Sequence, residues 1–476
     1  MRAAKVRRDK PRMAPKFGTS GLRGLVTELT PALVASHVAA FARACPMGRG
    51  LFVGRDLRES SPRIAADVIA AARAQGLAVT DCGAVPTPAL ALAAMGAGAA
   101  AVMVTGSHIP ADRNGLKFYT PEGEITKVQE GAILSALRDS GAPATDPGPL
   151  TMADPGPAFL ARYLTAFGPG ALAGRRIGVW SHSAVGRDLL TRTLTALGAE
   201  AVEIGRSDAF IPVDTEAVDP EARALLARAA AEHGLDAIAS TDGDGDRPLL
   251  TDAAGRVIPG DLLGQITARL IGADVVVTPV SSNTGVDQLG LGQVIRTKIG
   301  SPYVIAGMAA ALAADPAARV VGYEANGGFL LGFDAALPAG PLPALMTRDS
   351  HLPILAALVA AGEAGAGGDL AALVAAQPAR FTAADRLQEV PTEAAMALVA
   401  RLRADPADFL SALDAGRLAA TDITDGLRLT LSSGRIAHLR PSGNAPELRL
   451  YTEAETPETA AAMLTAGLDA LGSLLR

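Results

Sequence analysis

The sequence predicts an α/β chain: three similar α/β units with mixed or parallel sheets, followed by a smaller α+β unit. Three observations predict this. Short β-branched or apolar runs alternate with helix-length segments through most of the sequence, the pattern of sheets covered by helices. The 476 residues fit three or four domains at ~100–200 residues each. The strand–helix rhythm also runs through three rounds, and each ends a strand in an unusual polar loop, where open α/β sheets place their ligands.

In the first unit, Leu51–Val53 reads as a strand, Ser60–Gln75 as a helix and Leu77–Val79 as the next strand. The apolar run Ala89–Val104 reads as a helix followed by a buried strand from Ala99. It is 16 residues long, short of the ~20 needed to span a bilayer. The second round gives strands at Arg176–Trp180, Ala201–Ile204 and Leu235–Ala239, with a helix at Asp188–Leu197. The third gives Asp274–Thr278, Val294–Arg296 and Arg319–Gly322. In the last unit a helix at Thr392–Arg403 precedes strands at Arg428–Leu431 and Arg435–Leu439, joined by a Ser-Gly turn. Gly141–Pro157, with five prolines, and the Gly/Ala-rich Gly362–Ala379 mark breaks. The expected division is a flexible basic tail at 1–16 and units at 17–150, 151–252, 253–377 and 378–476.

Composition narrows the function classes. Hydrophobic residues at 49% and charged residues at 19% exclude disorder, collagen and a disulfide scaffold. Aromatics are only 4%, so Ala, Val, Leu and Ile must build the core. Cys45 and Cys82 form no CxxC, which argues against a zinc–thiolate site and for a reducing cytoplasm. Residues 1–16 carry seven Lys or Arg against Asp9 alone; removing that +6 from the net charge of −6 leaves −12 for the body. Such a body does not bind nucleic acid broadly, so an anion site must be a local cluster. No 7–15-residue apolar stretch follows the basic segment, so it is not a signal peptide, and Met13 is a candidate start.

Four constellations carry chemistry. Asp242, Asp244 and Asp246 put three mutually repelling carboxylates within five residues, spaced by glycines. A hard divalent cation, Mg²⁺ or Ca²⁺, relieves that repulsion; a solvated acidic turn is the plain alternative. An EF-hand is excluded, because its sixth and twelfth positions hold Arg247 and Ala253. Thr105-Gly-Ser-His-Ile-Pro110 offers Ser107 as a nucleophile and His108 beside it, with Asn114-Gly-Leu-Lys117 close behind, but no GxSxG elbow. Taken alone it is a structural turn. Arg440-Pro-Ser-Gly-Asn-Ala-Pro-Glu-Leu-Arg449 sets two arginines about a turn whose N–H groups and hydroxyl can bind phosphate. Glu324 and Asn326, among Gly322, Gly327 and Gly328, can grip ligand hydroxyls. No Walker loop or complete dinucleotide fingerprint is present.

Together these segments resemble the α-D-phosphohexomutase family. Phe17-Gly-Thr-Ser-Gly-Leu-Arg-Gly24 is similar to its N-terminal signature, Thr105–Pro110 to its phosphoserine loop and Asp242–Arg247 to its metal loop. Gly322–Gly327 is similar to its sugar-selecting loop, and Arg440–Asn444 to its phosphate loop. The resemblance implies four units around a central cleft. Ser107 would be carried as a phosphoserine, with Mg²⁺ held by Ser107, Asp242, Asp244 and Asp246. Arg23, Lys117 and Arg247 would offset the negative charge. Lys117, its pKa lowered beside arginine and metal, would manage the hydroxyl proton ahead of His108. Arg440, Ser442, Gly443, Asn444 and Arg449 would hold the distal phosphate, while Arg247, Glu324 and Asn326 meet the sugar. The implied substrate is a hexose phosphate, foremost mannose 1- and 6-phosphate, with glucose and glucosamine phosphates as alternatives. Hexose 1,6-bisphosphate would be intermediate and activator. A monomer or homodimer in the cytoplasm, without nucleic acid or membrane, is expected. A serine phosphatase or a non-catalytic sugar-phosphate binder is the rival class. The chain departs from the family at Ile109 (usually Asn), at Asn326 (often Ser) and at Asn444-Ala445 (usually Thr-Glu).

Overall fold

The computed structural model describes residues 15–18, 21–138, 146–363, 369–442 and 446–476. The first sheet runs in the order Lys16–Phe17, Leu22–Leu25, Arg113–Thr120, Ala100–Val104, Leu51–Arg55, Val79–Ala84, Leu150–Met152, and Gly123–Glu124 pairs with Arg113–Thr120. Its centre is parallel and its Arg113–Thr120 side antiparallel. Ala100–Val104 is buried at every position, as expected of a strand covered on both faces. Pro31–Ala44, Ser61–Ala74 and Thr87–Gly96 are helices, each with proline in its first turn, where the missing N–H costs nothing.

The second sheet runs Glu200–Arg206, Arg176–His182, Ala237–Thr241, Pro248–Leu250. The third runs Gln293–Thr297, Val275–Pro279, Val320–Tyr323, Phe329–Leu331, Leu345–Asp349. Both are parallel over their first three strands and antiparallel at the end. The fourth, Phe381–Gln388, Glu447–Ala454, Ile436–Pro441, Leu427–Leu431, Leu418–Asp422, is wholly antiparallel. Leu427–Leu431 alternates buried and half-buried residues, the period-2 pattern of a sheet with one wet face.

One continuous core joins the first three units, from Leu90 through Tyr163 and Leu263 to Leu355. The fourth has its own core around Leu402, Phe409 and Leu450. Polar contacts tie it to the third: Arg380 and Thr284 both meet Glu453, and Ile299 N–H donates to Asp425 Oδ2 at 2.9 Å. No helix among the described residues is long and apolar enough to cross a membrane.

Several local expectations change. Leu77 and Ala78 complete a turn, Leu77 N–H bonding back to Ala72, so the strand runs Val79–Ala84. The Gly362–Ala379 break contains a helix, Leu370–Ala375, capped by Asp369. Leu150–Met152, inside the proline-rich break, closes the first sheet. Lys16 does not belong to a loose tail, since it pairs with Arg23 in a short strand; residues 1–14 lie outside the described ones.

Candidate active site

Ala100–Val104 delivers the chain to a loop in which Ser107 has φ +53°, a left-handed conformation uncommon for a non-glycine residue. Its N–H donates to Thr105 Oγ1 at 2.7 Å, and Thr105 in turn donates to Asp56 Oδ2 at 2.7 Å. Ser107 is buried, and its Oγ donates to Asp242 Oδ2 at 2.6 Å. The hydroxyl from the first unit therefore sits on the carboxylate loop of the second.

Asp242, Asp244 and Asp246 are fully buried after the Ala237–Thr241 strand, and each offers an oxygen within 4.8 Å of the others. Lys117 Nζ lies 2.5 Å from Asp244 Oδ2 and 2.6 Å from Asp246 Oδ2. Thr87 Oγ1 donates to Asp244 Oδ2 at 2.6 Å, and Arg348 reaches Asp246 Oδ2 at 2.8 Å. The Oδ1 atoms of Asp244 and Asp246 are buried without a hydrogen-bond partner. Buried orphan carboxylate oxygens in an all-oxygen donor set fit a hard divalent cation.

Burial, reinforced by Asp244 and Asp246, pushes the Asp242 carboxyl well above its ordinary range. Burial would also raise Asp246, but Arg348, Lys117 and Arg247 outweigh it and hold that carboxyl below the usual range. Burial lowers Lys117, yet Asp244 and Asp246 more than compensate and stabilise its ammonium, whereas the lowering expected of it is one that a bound cation would impose. His108 is driven down to about 2 by burial, then by Arg247 and Arg23. It is a neutral imidazole whose Nδ1 faces Arg247 Nη1 at 3.0 Å and Ser107 Oγ at 3.3 Å. Arg23 lies on the strand paired with the one carrying Lys117; burial and then Arg247 lower it to about 10.

Glu324 and Asn326 are buried on the loop after Val320–Tyr323. Glu324 Oε2 accepts from Arg348 at 3.2 Å. Asn326 Oδ1 accepts from Gly328 N–H at 3.0 Å, closing the loop's own turn, so a ligand contact falls to its amide nitrogen. Arg440 and Arg449 stand directly opposite on neighbouring strands, with Asp425 2.9 Å from the first and Glu447 3.5 Å from the second. Like charges placed opposite destabilise a sheet unless an anion shares them. Ser442 is buried beside them, while Gly443 and Asn444 lie outside the described residues.

Residues 14–142, 161–255 and 259–381 match the α/β/α domains I, II and III of phosphoglucomutase/phosphomannomutase, and 386–468 match its C-terminal domain. The chain belongs to this family. It is 47% identical over 474 residues to the phosphomannomutase of Sinorhizobium fredii, covering 97% of this chain and 99% of that one. It is 42% identical over 451 residues to the phosphomannomutase of Salmonella muenchen, covering 93% of each. A family protein from Burkholderia thailandensis shares the fold with a TM-score of 0.76 at 21% identity, over 96% of this chain and 97% of that one.

The structure also brings to this site residues that sequence reading missed. Arg348, next to last in the Leu345–Asp349 strand, is buried and touches Asp246, Glu324 and, at 3.7 Å, Glu124. Thr87, at a helix start, belongs to the carboxylate cluster. The one available signal was the charged pair Arg348-Asp349 closing an otherwise apolar strand.

Proposed function

We propose that the protein is a phosphomannomutase interconverting mannose 1-phosphate and mannose 6-phosphate through phospho-Ser107 and a hexose 1,6-bisphosphate. One observation carries the chemistry: a buried serine hydroxyl 2.6 Å from a carboxylate cluster whose spare oxygens suit a cation. The near-full-length phosphomannomutase relatives support mannose as the sugar.

In this reading, Mg²⁺ on Asp242, Asp244 and Asp246 would neutralise charge on the transferring phosphoryl group. The chain's own cations complete that neutralisation. Arg247 faces His108 beside Ser107 at 3.0 Å, Arg23 adds positive charge to the same site, and Lys117 lies between Asp244 and Asp246. The bond from Ser107 Oγ to phosphorus breaks as one forms to a sugar hydroxyl, and that hydroxyl's proton ends on the departing Ser107 Oγ, with the neutral His108 Nδ1 3.3 Å away to relay it. After the bisphosphate turns over, its other phosphoryl group returns to Ser107. A loose transition state asks for positioning and charge more than for a strong base. This suits a site where Lys117 lies between two carboxylates and His108 is a weak base.

Arg440 and Arg449 would take the phosphate that is not being transferred. Arg440→Ala should raise KM roughly tenfold or more with kcat little changed, since a hydrogen bond to a charged group contributes ~1.5–3 kcal/mol. Steady-state kinetics check this, and an unaltered KM removes Arg440 from the site.

Phosphorus NMR of equal mannose, glucose and glucosamine 1-phosphates with Mg²⁺ and trace bisphosphate tests the function. Preferential conversion of the mannose compound is expected. Preference for glucosamine 1-phosphate would keep the mechanism and replace the substrate, and release of inorganic phosphate would indicate a phosphatase.

A further inference from the structure

Arg58 is a large charged side chain, 1% exposed, placed before the second helix of the first unit. It ion-pairs with Asp56 at 3.2 Å. Its remaining donors go to main-chain carbonyls of the serine loop: Ser107 at 2.9 Å, Ile109 at 2.5 Å, Pro110 at 2.7 Å and Arg113 at 2.9 Å. Asp56 meanwhile accepts from Thr105 Oγ1, which receives the Ser107 N–H. Both sides of the left-handed Ser107 are therefore tied to one buried ion pair.

The second unit closes over this pair. Arg58 Cζ lies 3.9 Å from the ring centroid of Phe210, on the loop after Glu200–Arg206. Two glycines make the close approach possible. A Cβ on Gly106 would lie 2.7 Å from Arg58 Cζ, and one on Gly243 would lie 2.9 Å from both Phe210 Cε2 and Ser107 O. Gly106, the guanidinium, the ring and Gly243 thus form a stack that starts in the serine loop and ends in the metal loop.

We infer that Arg58 and Phe210 are positioning residues for phosphoryl transfer: the guanidinium fixes the main chain of residues 107–113, and its stack on Phe210 sets Ser107 in register with Asp242. The inference rests on Ser107 as phosphoryl carrier but not on the identity of the sugar. Arginine is suited to this task because its planar fork bonds several oxygens while its face meets an aromatic ring.

The test uses the full chain with Phe210→Leu, which keeps apolar volume and loses the ring face, Phe210→Tyr, which keeps the face, and Arg58→Lys. Phe210 is only half-buried, so its variants should fold. Three quantities are read: mannose 1-phosphate kinetics, Mn²⁺ affinity by calorimetry, and Ser107 phosphorylation by glucose 1,6-bisphosphate, followed by intact mass. Phe210→Leu should lower kcat roughly tenfold with KM within about twofold, because positioning is lost and ground-state binding is not. It should also weaken Mn²⁺ binding and slow phosphorylation. Phe210→Tyr should restore all three, and Arg58→Lys should lose more than Phe210→Leu.

If Phe210→Leu matches wild type in Mn²⁺ affinity and phosphorylation, the inference is overturned. It is overturned equally if Tyr fails to rescue, since the ring would then only fill space. A wild-type protein that is phosphorylated and binds Mn²⁺ yet isomerises no mannose phosphate would overturn the substrate reading and leave this one decided by the other two measurements.

Discussion

Ser107→Ala is expected to abolish turnover while leaving the fold in place. The side chain is small and buried, and its Oγ contacts are Asp242 Oδ2 and, more weakly, His108 Nδ1. Losing one such hydrogen bond costs about 1 kcal/mol, with a further ~1–3 kcal/mol if the partner is left unsatisfied. Asp242 keeps the Arg247 N–H at 3.3 Å on its Oδ1, so only its Oδ2 loses a donor. The left-handed backbone at residue 107 suits alanine no better than serine, but the Arg58 and Thr105 contacts that impose it are to main-chain atoms and survive. The chemical loss is of another order, since no other hydroxyl among the described residues donates to the carboxylate cluster except Thr87, which is on Asp244 rather than Asp242. Phosphorus NMR should therefore show no isomerisation, with circular dichroism unchanged. Turnover at the wild-type rate would remove Ser107 from the reaction.

The loops of the proposed site were readable in the sequence because each is local: glycines and functional groups lie within a few residues of one another, after an apolar strand. Strands such as Ala100–Val104 were readable for the same reason. Arg113–Thr120 was not, because Asn114-Gly115 looks like a turn. Its meaning is tertiary: Asn114 Nδ2 donates to Ser60 and Ser61, and a Cβ on Gly115 would lie 2.3 Å from Leu22 O. Leu150–Met152 escaped because an edge strand exposed at all three residues has no burial period. The contacts of Lys117 were hidden on similar grounds. Sequence put Lys117 near an arginine and a metal loop, whereas folding threads its ammonium between two carboxylates. Arg348 has little local signature, since its partners come from residues 124, 246 and 324.

That last residue is where the largest loss of stability is expected. Arg348→Met keeps length and volume but removes a buried guanidinium shared by Asp246, Glu324 and Glu124, all themselves buried. Breaking a buried pair from one side typically costs ~3–5 kcal/mol, because the remaining charge stays desolvated. Urea unfolding can be followed by fluorescence of Trp180, the chain's one tryptophan, on the Arg176–His182 strand of the unit that carries the Asp loop. A chelator should be present, so that no divalent cation takes over Asp246. The pH dependence has a definite sign. Burial raises Asp246, but Arg348, Lys117 and Arg247 depress it, so their contribution is complete above the unfolded carboxylate pKa and is lost as pH falls through the lower folded value. The gap between wild type and variant should thus be full at neutral pH and narrow only in strong acid. A gap below about 1 kcal/mol at neutral pH, the worth of an exposed pair, would mean that Lys117 and Arg247 alone suffice for these carboxylates. Arg348 would then matter to the substrate and the metal rather than to the fold.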